Sequence, residues 1–289
     1  ISVDFEVIGS PSDTTPPVFE SVDLSGNVFD ISYSDVSFDV TALITDDLSG
    51  VSGYELGDYG LSYLQWSSPS GNQHVWARFE DASTNNNNYI LTDEVILPQY
   101  SETGTWTLNH VTIFDNVSNQ TWAYNDIINN LGISADFEVI GSPSDTTPPV
   151  FESVDLSGNI FDISNSDVSF DVAALITDDL SGVRGYELGD YGLSYLQWSS
   201  PSGNQHVWAR FEDVSTNNNN YILTDEVILP QYSETGTWTL NYVNIYDNVS
   251  NQTWAYNYDT INNIGISADF EVIGSPSDTT PPVFESVDL

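Results

Sequence analysis

Apolar and polar residues alternate with a period of two in several short segments of the chain. Residues 36–42 follow this pattern. In residues 74–80 the side chains of Val75, Ala77 and Phe79 fall on one face and the polar residues on the other. Alternation of this kind is typical of β-strands that bury one face.

A third segment keeps the same period but changes face part of the way along. In residues 105–113, Trp106 and Leu108 share one parity, whereas Ile113 has the other. One extra residue in a strand shifts the parity in this way, so the pattern predicts a β-bulge near Asn109.

Clusters of Gly, Asn, Asp, Ser and Pro separate these segments and are typical of turns. They occupy residues 24–27, 46–50, 67–72, 83–88, 101–104 and 115–119. No stretch of helical length shows a 3.6-residue period. About seven or more short strands joined by turns predict an all-β fold, and specifically a β-sandwich.

The whole pattern recurs with a period of about 132 residues. Residues 1–24, 133–156 and 266–289 are nearly identical. From Ser2 onward the two copies differ at eleven positions, and the second copy has one inserted residue near Tyr258. The repeat predicts a tandem array of units, each large enough to bury its own core.

Proline-rich segments mark the boundaries between units, and paired prolines stiffen an extended linker. The predicted parts are a terminal strand of a preceding repeat at 1–12, repeat 1 at 13–141, repeat 2 at 145–274, and the first strand of a following repeat at 278–289. Because the sequence opens and closes part-way through a unit and contains no methionine, we expect it to be a window of a longer periodic chain.

Acidic residues dominate the charge. There are 43 of them against three arginines and no lysine, which gives a net charge of −40. Such a chain repels phosphates, which argues against nucleic acid and anionic membranes as partners. Like charges also destabilise a compact fold unless cations screen or bind them. No segment approaches the ~18 continuous apolar residues of a membrane-spanning helix, and the chain has no cysteine.

Several short motifs recur in the same order in both units. In the first unit they are Asp13-Thr-Thr-Pro-Pro-Val-Phe, Thr45-Asp-Asp-Leu-Ser-Gly-Val, Ser68-Pro-Ser-Gly-Asn-Gln, Gly104-Thr-Trp-Thr-Leu and Asp115-Asn-Val-Ser-Asn. In order and spacing they resemble the bacterial immunoglobulin-like repeats of giant secreted surface proteins and adhesins. The resemblance covers both units. It implies an extracellular immunoglobulin-like sandwich strung into a long chain, often rigidified by calcium.

Calcium binds six to eight oxygen ligands, and loop carboxylates near the unit ends are the candidates here, because these loops can converge at one pole of a sandwich. The candidate ligands are Asp13, Asp46, Asp47 and Asp115, their counterparts Asp145, Asp178, Asp179 and Asp247, and Asp278 at the start of the third copy. The alternative is that Asp46, Asp47 and Asp115 only form turns. Glu55 and Asp58 are a second acidic pair.

The residues give little support to catalysis. With 43 acidic residues, some pair falls at glycosidase spacing by chance. His110 is Tyr242 in the second copy, so it is not a base or ligand common to the units. The sequence motifs of serine hydrolases, zinc proteases and phosphate-binding loops are absent. We therefore predict that the protein is not an enzyme.

The eight tryptophans fit two interpretations. Trp66, Trp76, Trp106 and Trp122 recur at the same places in the second copy. Trp76 shares a predicted strand face with polar residues, and an exposed tryptophan there could stack on carbohydrate. Packing in the core or across strands is the more common role.

Each unit also carries two Asn-x-Ser/Thr sequons on the turn at residues 115–119 and its counterpart. Their asparagines are Asn116, Asn119, Asn248 and Asn251. A turn at the surface accommodates a glycan, so these asparagines are candidate glycosylation sites.

These observations predict a structural segment of an extracellular fibre or giant cell-surface repeat protein. Its partners are neighbouring repeats in a filament, and calcium stiffens the stalk. Two alternatives remain: an adhesin module that binds surface glycans, and accessory repeats of a large secreted hydrolase.

Overall fold

The computed structural model divides the chain into two compact units, residues 1–144 and 145–289. The structure describes residues 9, 11–53, 62–79, 82–85, 88–125, 127–128, 132–141, 143–185, 194–217, 220–257, 261, 265–274 and 276–285. Strands make up 54% of the chain. Within these described ranges, helical backbone is confined to Ile127, Ile128 and Ile261. The all-β prediction is therefore confirmed. No helix in the described ranges is long and apolar enough to cross a membrane.

The described part of the first unit contains ten strands. They are β1 (Val18–Leu24), β2 (Val28–Asp30), β3 (Val36–Thr45), β4 (Tyr63–Ser67), β5 (His74–Arg78), β6 (Ala82–Asn85), β7 (Asn88–Leu97), β8 (Gly104–Phe114), β9 (Gln120–Tyr124) and β10 (Phe137–Ile140).

The second unit repeats them. Its strands are β11 (Val150–Leu156), β12 (Ile160–Asp162), β13 (Val168–Thr177), β14 (Tyr195–Ser199), β15 (His206–Arg210), β16 (Asp213–Asn217), β17 (Asn220–Leu229), β18 (Gly236–Tyr246), β19 (Gln252–Tyr256) and β20 (Phe270–Ile273).

Each unit is a sandwich of two sheets. In the first unit one sheet has the order β1-β3-β7-β6 and the other β2-β10-β8-β4-β5, with β9 also paired to β8. β10 pairs with the first residues of β8 and β9 with the last ones, so both lie on the same edge of that strand. The second unit has the same order with its own strands.

This order is that of an immunoglobulin-like sandwich. With β1, β3, β7 and β6 as strands A, B, E and D, the first sheet is A-B-E-D. The second sheet places β8 as F between β4 as C and the two segments β9 and β10 as G, and β5 adds strand C′. The predicted tandem of immunoglobulin-like sandwiches is thus confirmed.

The core lies between the two sheets and centres on a tryptophan of strand C. Trp66 is fully buried, and its indole nitrogen donates to the carbonyl of Ala135 at 2.7 Å. Phe38 and Phe137 pack against its ring with centroid distances of 6.4 and 6.2 Å. The alternating apolar positions predicted for β5, including Ala77, are buried as expected.

The predicted change of face in β8 is also present. The pairing of β4 with β8 shifts register between Gln65 and Trp66, because their partners are His110 and Leu108. Asn109 is the extra residue, so the bulge lies where the parity changes.

In the third copy of the repeated segment the structure describes only the first three residues that correspond to β1 and β11. These residues, 283–285, are not in a strand, whereas β1 and β11 pair with β3 and β13 of their own units. The segment predicted at 1–12 lies outside the described residues except for positions 9, 11 and 12.

Candidate metal centre

Three loops meet at one end of each unit: the segment before strand A, the corner after strand B, and the turn between strands F and G. In the first unit the amide of Asn116 in the turn donates to the carbonyl of Gly50 in the corner at 3.0 Å. The hydroxyl of Thr121 in β9 donates to the carbonyl of Pro17 in the entering segment. These bonds hold the three loops together, as the sequence pattern predicted.

Asp46 shapes the corner after β3. Its Oδ1 accepts hydrogen bonds from the amides of Leu48 at 3.2 Å and Gly50 at 2.6 Å. Gly50 has a φ of 86°, and a Cβ at this position would lie 2.8 Å from the hydroxyl of Tyr89. A glycine is therefore required for the corner to close around the aspartate.

The other carboxylate oxygen of Asp46 has no such role. The side chain is only 5% exposed, and Oδ2 is buried without a hydrogen-bond partner. Asp178, its counterpart, is 6% exposed and has the same unpartnered Oδ2. A buried, charged oxygen without a partner is costly. Turn formation therefore accounts for one oxygen of each carboxylate and leaves the other oxygen without a hydrogen-bond partner.

Two neighbouring carboxylates complete the group in the first unit. Oxygens of Asp13, Asp46 and Asp47 all lie within 4.8 Å of one another. The hydroxyl of Thr15 lies within hydrogen-bonding distance of Oδ1 of both Asp13 and Asp47. The amide of Ser49 donates to Oδ2 of Asp13 at 2.8 Å. Asp13 thus attaches the segment before strand A to the corner after strand B.

The second unit builds the same group with greater burial. Oxygens of Asp145, Asp178 and Asp179 lie within 4.8 Å of one another, and Asp145 is 2% exposed. Thr147 donates from its hydroxyl to Oδ1 of Asp179 at 2.5 Å, and the amide of Ser181 donates to Oδ2 of Asp145 at 2.8 Å.

Burial, with a smaller contribution from neighbouring charges, raises the pKa values of Asp178 and Asp247. Burial raises the pKa of Asp178, and the charges of Asp145 and Asp179 raise it further, against backbone hydrogen bonds that lower it. Burial raises the pKa of Asp247 to about 7, with Asp145 and Asp178 adding to the shift, although hydrogen bonds from Asn251 oppose it. Four carboxylates therefore interact at this pole, and a bound cation would relieve their repulsion.

Asp115 and Asp247 are fully occupied by the turns that they form. Asp115 accepts at Oδ1 from the amides of Val117 (2.9 Å) and Asn119 (2.7 Å), and at Oδ2 from the side-chain amide of Asn119 (2.6 Å). Asp247 makes the same bonds with the corresponding turn, which includes Asn251. Neither belongs to the three-carboxylate groups. Their part at this pole is to close the turn and to add negative charge.

The three-carboxylate groups fit calcium. Two oxygens that bind one calcium ion from opposite sides at about 2.4 Å are about 4.8 Å apart at most, which is the limit that these oxygens satisfy. The donors are all oxygens, which suits a hard cation such as calcium and not zinc.

Asp278, the remaining acidic candidate among the described residues, does not belong to such a group. Asp278 accepts hydrogen bonds from the amide and hydroxyl of Thr280 at 3.0 and 2.8 Å, and these bonds lower its pKa. The carboxylate groups found among the described residues do not include it. Glu55 and Asp58 lie outside the described residues.

The sequon asparagines donate their amide nitrogens inside the loops. Asn116 and Asn248 donate to the carbonyls of Ser49 and Ser181, each at 2.8 Å. Asn119 and Asn251 donate to the aspartates that close the turns. Glycosylation at these sites stays a prediction, and it would require these hydrogen bonds to open.

The tryptophans divide between the two predicted roles. Trp66 and Trp106, with their counterparts, are buried in the cores, as the more common interpretation expected. Trp122 and Trp254 are 55% and 62% exposed. Trp76, which the sequence analysis singled out, is partly exposed, and its counterpart Trp208 is 40% exposed; the greater exposure of Trp122 and Trp254 was missed. The period-two pattern of β9 could have predicted this exposure. Ala123 faces the core, so its two aromatic neighbours, Trp122 and Tyr124, face outward.

No protein-family model matches the sequence, and no curated protein sequence matches it either. Among solved structures, the chain is similar to the crystal structure of murine CEACAM1b, with 12% sequence identity, coverage of 88% of this chain and 99% of that chain, and a TM-score of 0.20. A superposition of this quality carries no argument about function. The strand order within each unit is what identifies the immunoglobulin-like sandwich.

Proposed function

We propose that this chain is a structural segment of an extracellular fibre or giant cell-surface repeat protein, in which calcium stiffens the linkers between sandwiches. Immunoglobulin-like sandwiches serve widely as structural and binding domains at cell surfaces. The observation that carries the proposal is the attachment of the linker on both of its sides.

Adjacent linker residues are bound to different units. The amide of Thr103 donates to the hydroxyl of Ser144 at 3.1 Å, which attaches Ser144 to the first unit. The next residue, Asp145, accepts from the amide of Ser181 at 2.8 Å, and its carbonyl accepts from Asn251 at 3.3 Å. The two attachments therefore fall on consecutive residues.

Calcium would strengthen the second attachment. Asp145 belongs to the linker, whereas Asp178 and Asp179 belong to the corner after β13, and the three carboxylates lie in one group. Without a cation their repulsion pushes the linker away from the unit. With a cation bound they hold it in place, so stiffness depends on calcium.

Spin labels test this dependence directly. The chain has no cysteine, so Tyr33→Cys and Asn165→Cys introduce two unique labels at equivalent exposed positions of the two units. Electron–electron resonance then gives the distribution of distances between them. We expect a narrow distribution in millimolar calcium and a broader one in chelator. Asp178→Asn, which removes one ligand and one repelling charge, is expected to give the same distribution in both conditions.

A distribution that is equally broad in calcium and in chelator would contradict the proposed stiffening. An equally narrow distribution in both would show a stiff linker that needs no calcium, and this would refute the role of the metal. Asp162→Asn, at an exposed aspartate outside the carboxylate group, is the matched control. It is expected to respond to calcium like the parent protein.

A second experiment addresses the array itself. The near-identity of the two copies favours one covalent chain of many units over separately assembled subunits. Native material boiled in denaturant is therefore expected to stay very large. Collapse to a low-mass band would show that subunits assemble by exchanging strands.

A further inference from the structure

One outer surface of each unit is lined by aromatic residues. The surface, here called the aromatic face, is formed by the outward side chains of β4, β5, β9 and the second half of β8 in the first unit. The register places Trp76, Gln65, His110 and Tyr124 in one row across the four strands. At a strand spacing of about 4.8 Å, this row spans about 14 Å.

A second row runs beside the first. It contains Arg78, Tyr63, Thr112 and Trp122, again one residue from each strand. Trp122 is 55% exposed and Tyr124 46%, so large parts of both rings face solvent. The counterparts of these two rings, at positions 254 and 256, are 62% and 57% exposed.

The rings at the centre are held in place by contacts with one another. In the first unit the His110 ring lies 5.0 Å from that of Tyr63 and 4.2 Å from that of Tyr124. Its Nε2 also lies 2.7 Å from the hydroxyl of Thr112. Burial lowers the pKa of His110, so this centre is uncharged at neutral pH. The centre of the aromatic face is therefore ordered and carries no charge from His110 at neutral pH.

Charge is distributed unevenly between the two sheets. The strand segments of the aromatic face contain no Asp or Glu in either unit, although the chain has 43 such residues. On the opposite sheet Asp39 and Glu94 lie directly across from each other on paired strands. The chain as a whole is strongly acidic, whereas these strand segments contain no acidic residue and include Arg78.

The two units differ most at this same surface. Three of the eleven substitutions between the copies fall on alternate, outward positions of one strand: His110/Tyr242, Thr112/Asn244 and Phe114/Tyr246. In the second unit the Tyr242 ring stacks on that of Tyr195 at 5.3 Å. The inward residues of the same segment are identical in both copies. The residues of this strand that face the core are thus the same in both units, whereas those at the centre of the aromatic face differ.

We propose that the aromatic face binds a neutral polysaccharide. Exposed aromatic rings stack against the C–H faces of sugars, and the partly exposed side-chain amide of Gln65 suits sugar hydroxyls. An acid-free surface avoids the cost of desolvating carboxylates under a neutral ligand. The net charge of −40 repels acidic polysaccharides and a second copy of the chain alike.

Affinity electrophoresis of the whole two-unit protein tests the proposal. The probes are a soluble β-glucan, a mannan and a galactan, with alginate as the acidic comparison. We expect at least one neutral polysaccharide to retard the protein and alginate to leave it unretarded. In the double variant Trp122→Ala/Trp254→Ala the affinity is expected to fall about tenfold, the factor that corresponds to 1.4 kcal/mol.

The control variant is Tyr33→Ala, which removes an aromatic side chain that is 92% exposed outside the aromatic face. It is expected to keep full affinity. An unchanged thermal midpoint of the double variant confirms that it remains folded, since both tryptophans lie at the surface. Spacer function and calcium response do not depend on this surface, so the outcome here is separate from the test of the proposed function.

Three results would overturn the proposal. The first is no retardation by any neutral polysaccharide. The second is retardation that the double variant retains in full. The third is concentration-dependent dimerisation in sedimentation, abolished by the same double variant without any effect of polysaccharide, which would assign the face to a second copy of the chain.

Discussion

Replacing both partly unpaired aspartates is expected to abolish the stabilisation of the protein by calcium. The double variant Asp46→Asn/Asp178→Asn keeps a side-chain oxygen that can accept the corner's amide hydrogen bonds. It removes one negative charge from each three-carboxylate group. In place of the unpartnered Oδ2, asparagine offers an N–H that can donate to the neighbouring carboxylates. The turn is thus retained while the ligand for the cation is lost.

The buried pair in the second unit sets the size of the effect without calcium. Two carboxylates 4.8 Å apart, the limit found for Asp145 and Asp178, repel by about 3 kcal/mol at an effective dielectric constant of 20. The variant's metal-free form is therefore expected to be more stable than the parent by up to about 3 kcal/mol. For a domain of this size, this raises the melting temperature by about 10 °C.

With calcium, the difference in stability between the variant and the parent is expected to nearly disappear. Calcium at a hundredfold excess over its dissociation constant stabilises each parent unit by about 2.7 kcal/mol, or about 9 °C. The variant lacks the ligand and is expected to gain almost nothing. Melting curves in millimolar calcium and in chelator, at constant ionic strength, measure both differences.

The matched control is Asp39→Asn/Asp171→Asn, which removes one exposed acid from a like-charged cross-strand pair in each unit. It is expected to raise stability slightly in both conditions while keeping the full calcium response. The reasoning is refuted if calcium raises the melting temperature of the Asp46→Asn/Asp178→Asn variant as much as that of the parent. It is equally refuted if calcium leaves the parent unchanged.

Three further outcomes are expected. In chelator, the stability of the second unit is expected to be highest below about pH 4 and to fall as the pH rises through 7, because the raised pKa of Asp247 makes the folded form hold a proton that the unfolded form releases; urea titrations across this range would show rising stability if the shift is absent. Trp198→Phe removes the 2.8 Å hydrogen bond to the carbonyl of Ala268 and leaves a cavity, so chemical denaturation is expected to show a loss of about 2–4 kcal/mol, and a loss below 1 kcal/mol would contradict the packing. Gly50→Ala places a Cβ 2.8 Å from the Tyr89 hydroxyl at positive φ, so it is expected to lower the melting temperature of the first unit, and an unchanged temperature would show that the corner has another conformation.

Local pattern in the sequence determined which segments are strands and which of their faces are apolar. Residues 74–80 show this, because inward and outward positions alternate within one short segment and need no distant contact to be recognised. The bulge at Asn109 was predictable for the same reason. The repeat also determined that the chain holds two equivalent units, since equal sequences reach equal folds.

The tertiary structure decided which carboxylates act together and how. Asp46 and Asp115 both sit in turn-forming motifs and look alike in sequence. Only the folded loops show that Asp115 has both oxygens occupied, whereas Asp46 keeps one buried oxygen without a partner. Hydrogen-bond satisfaction depends on residues from distant parts of the chain, so no local pattern contains it.

The tertiary structure also decided which tryptophans are buried and which are exposed. Parity places Trp66 and Trp122 on a face of their strands, but it does not say which face the second sheet covers. Packing of the two sheets buries Trp66 and leaves Trp122 exposed on the opposite side. The sequence by itself therefore determined the strands, the turns and the repeat. The joining of loops and sheets that are far apart in the chain determined the carboxylate group and the aromatic face, because both depend on contacts that only the closed sandwich creates.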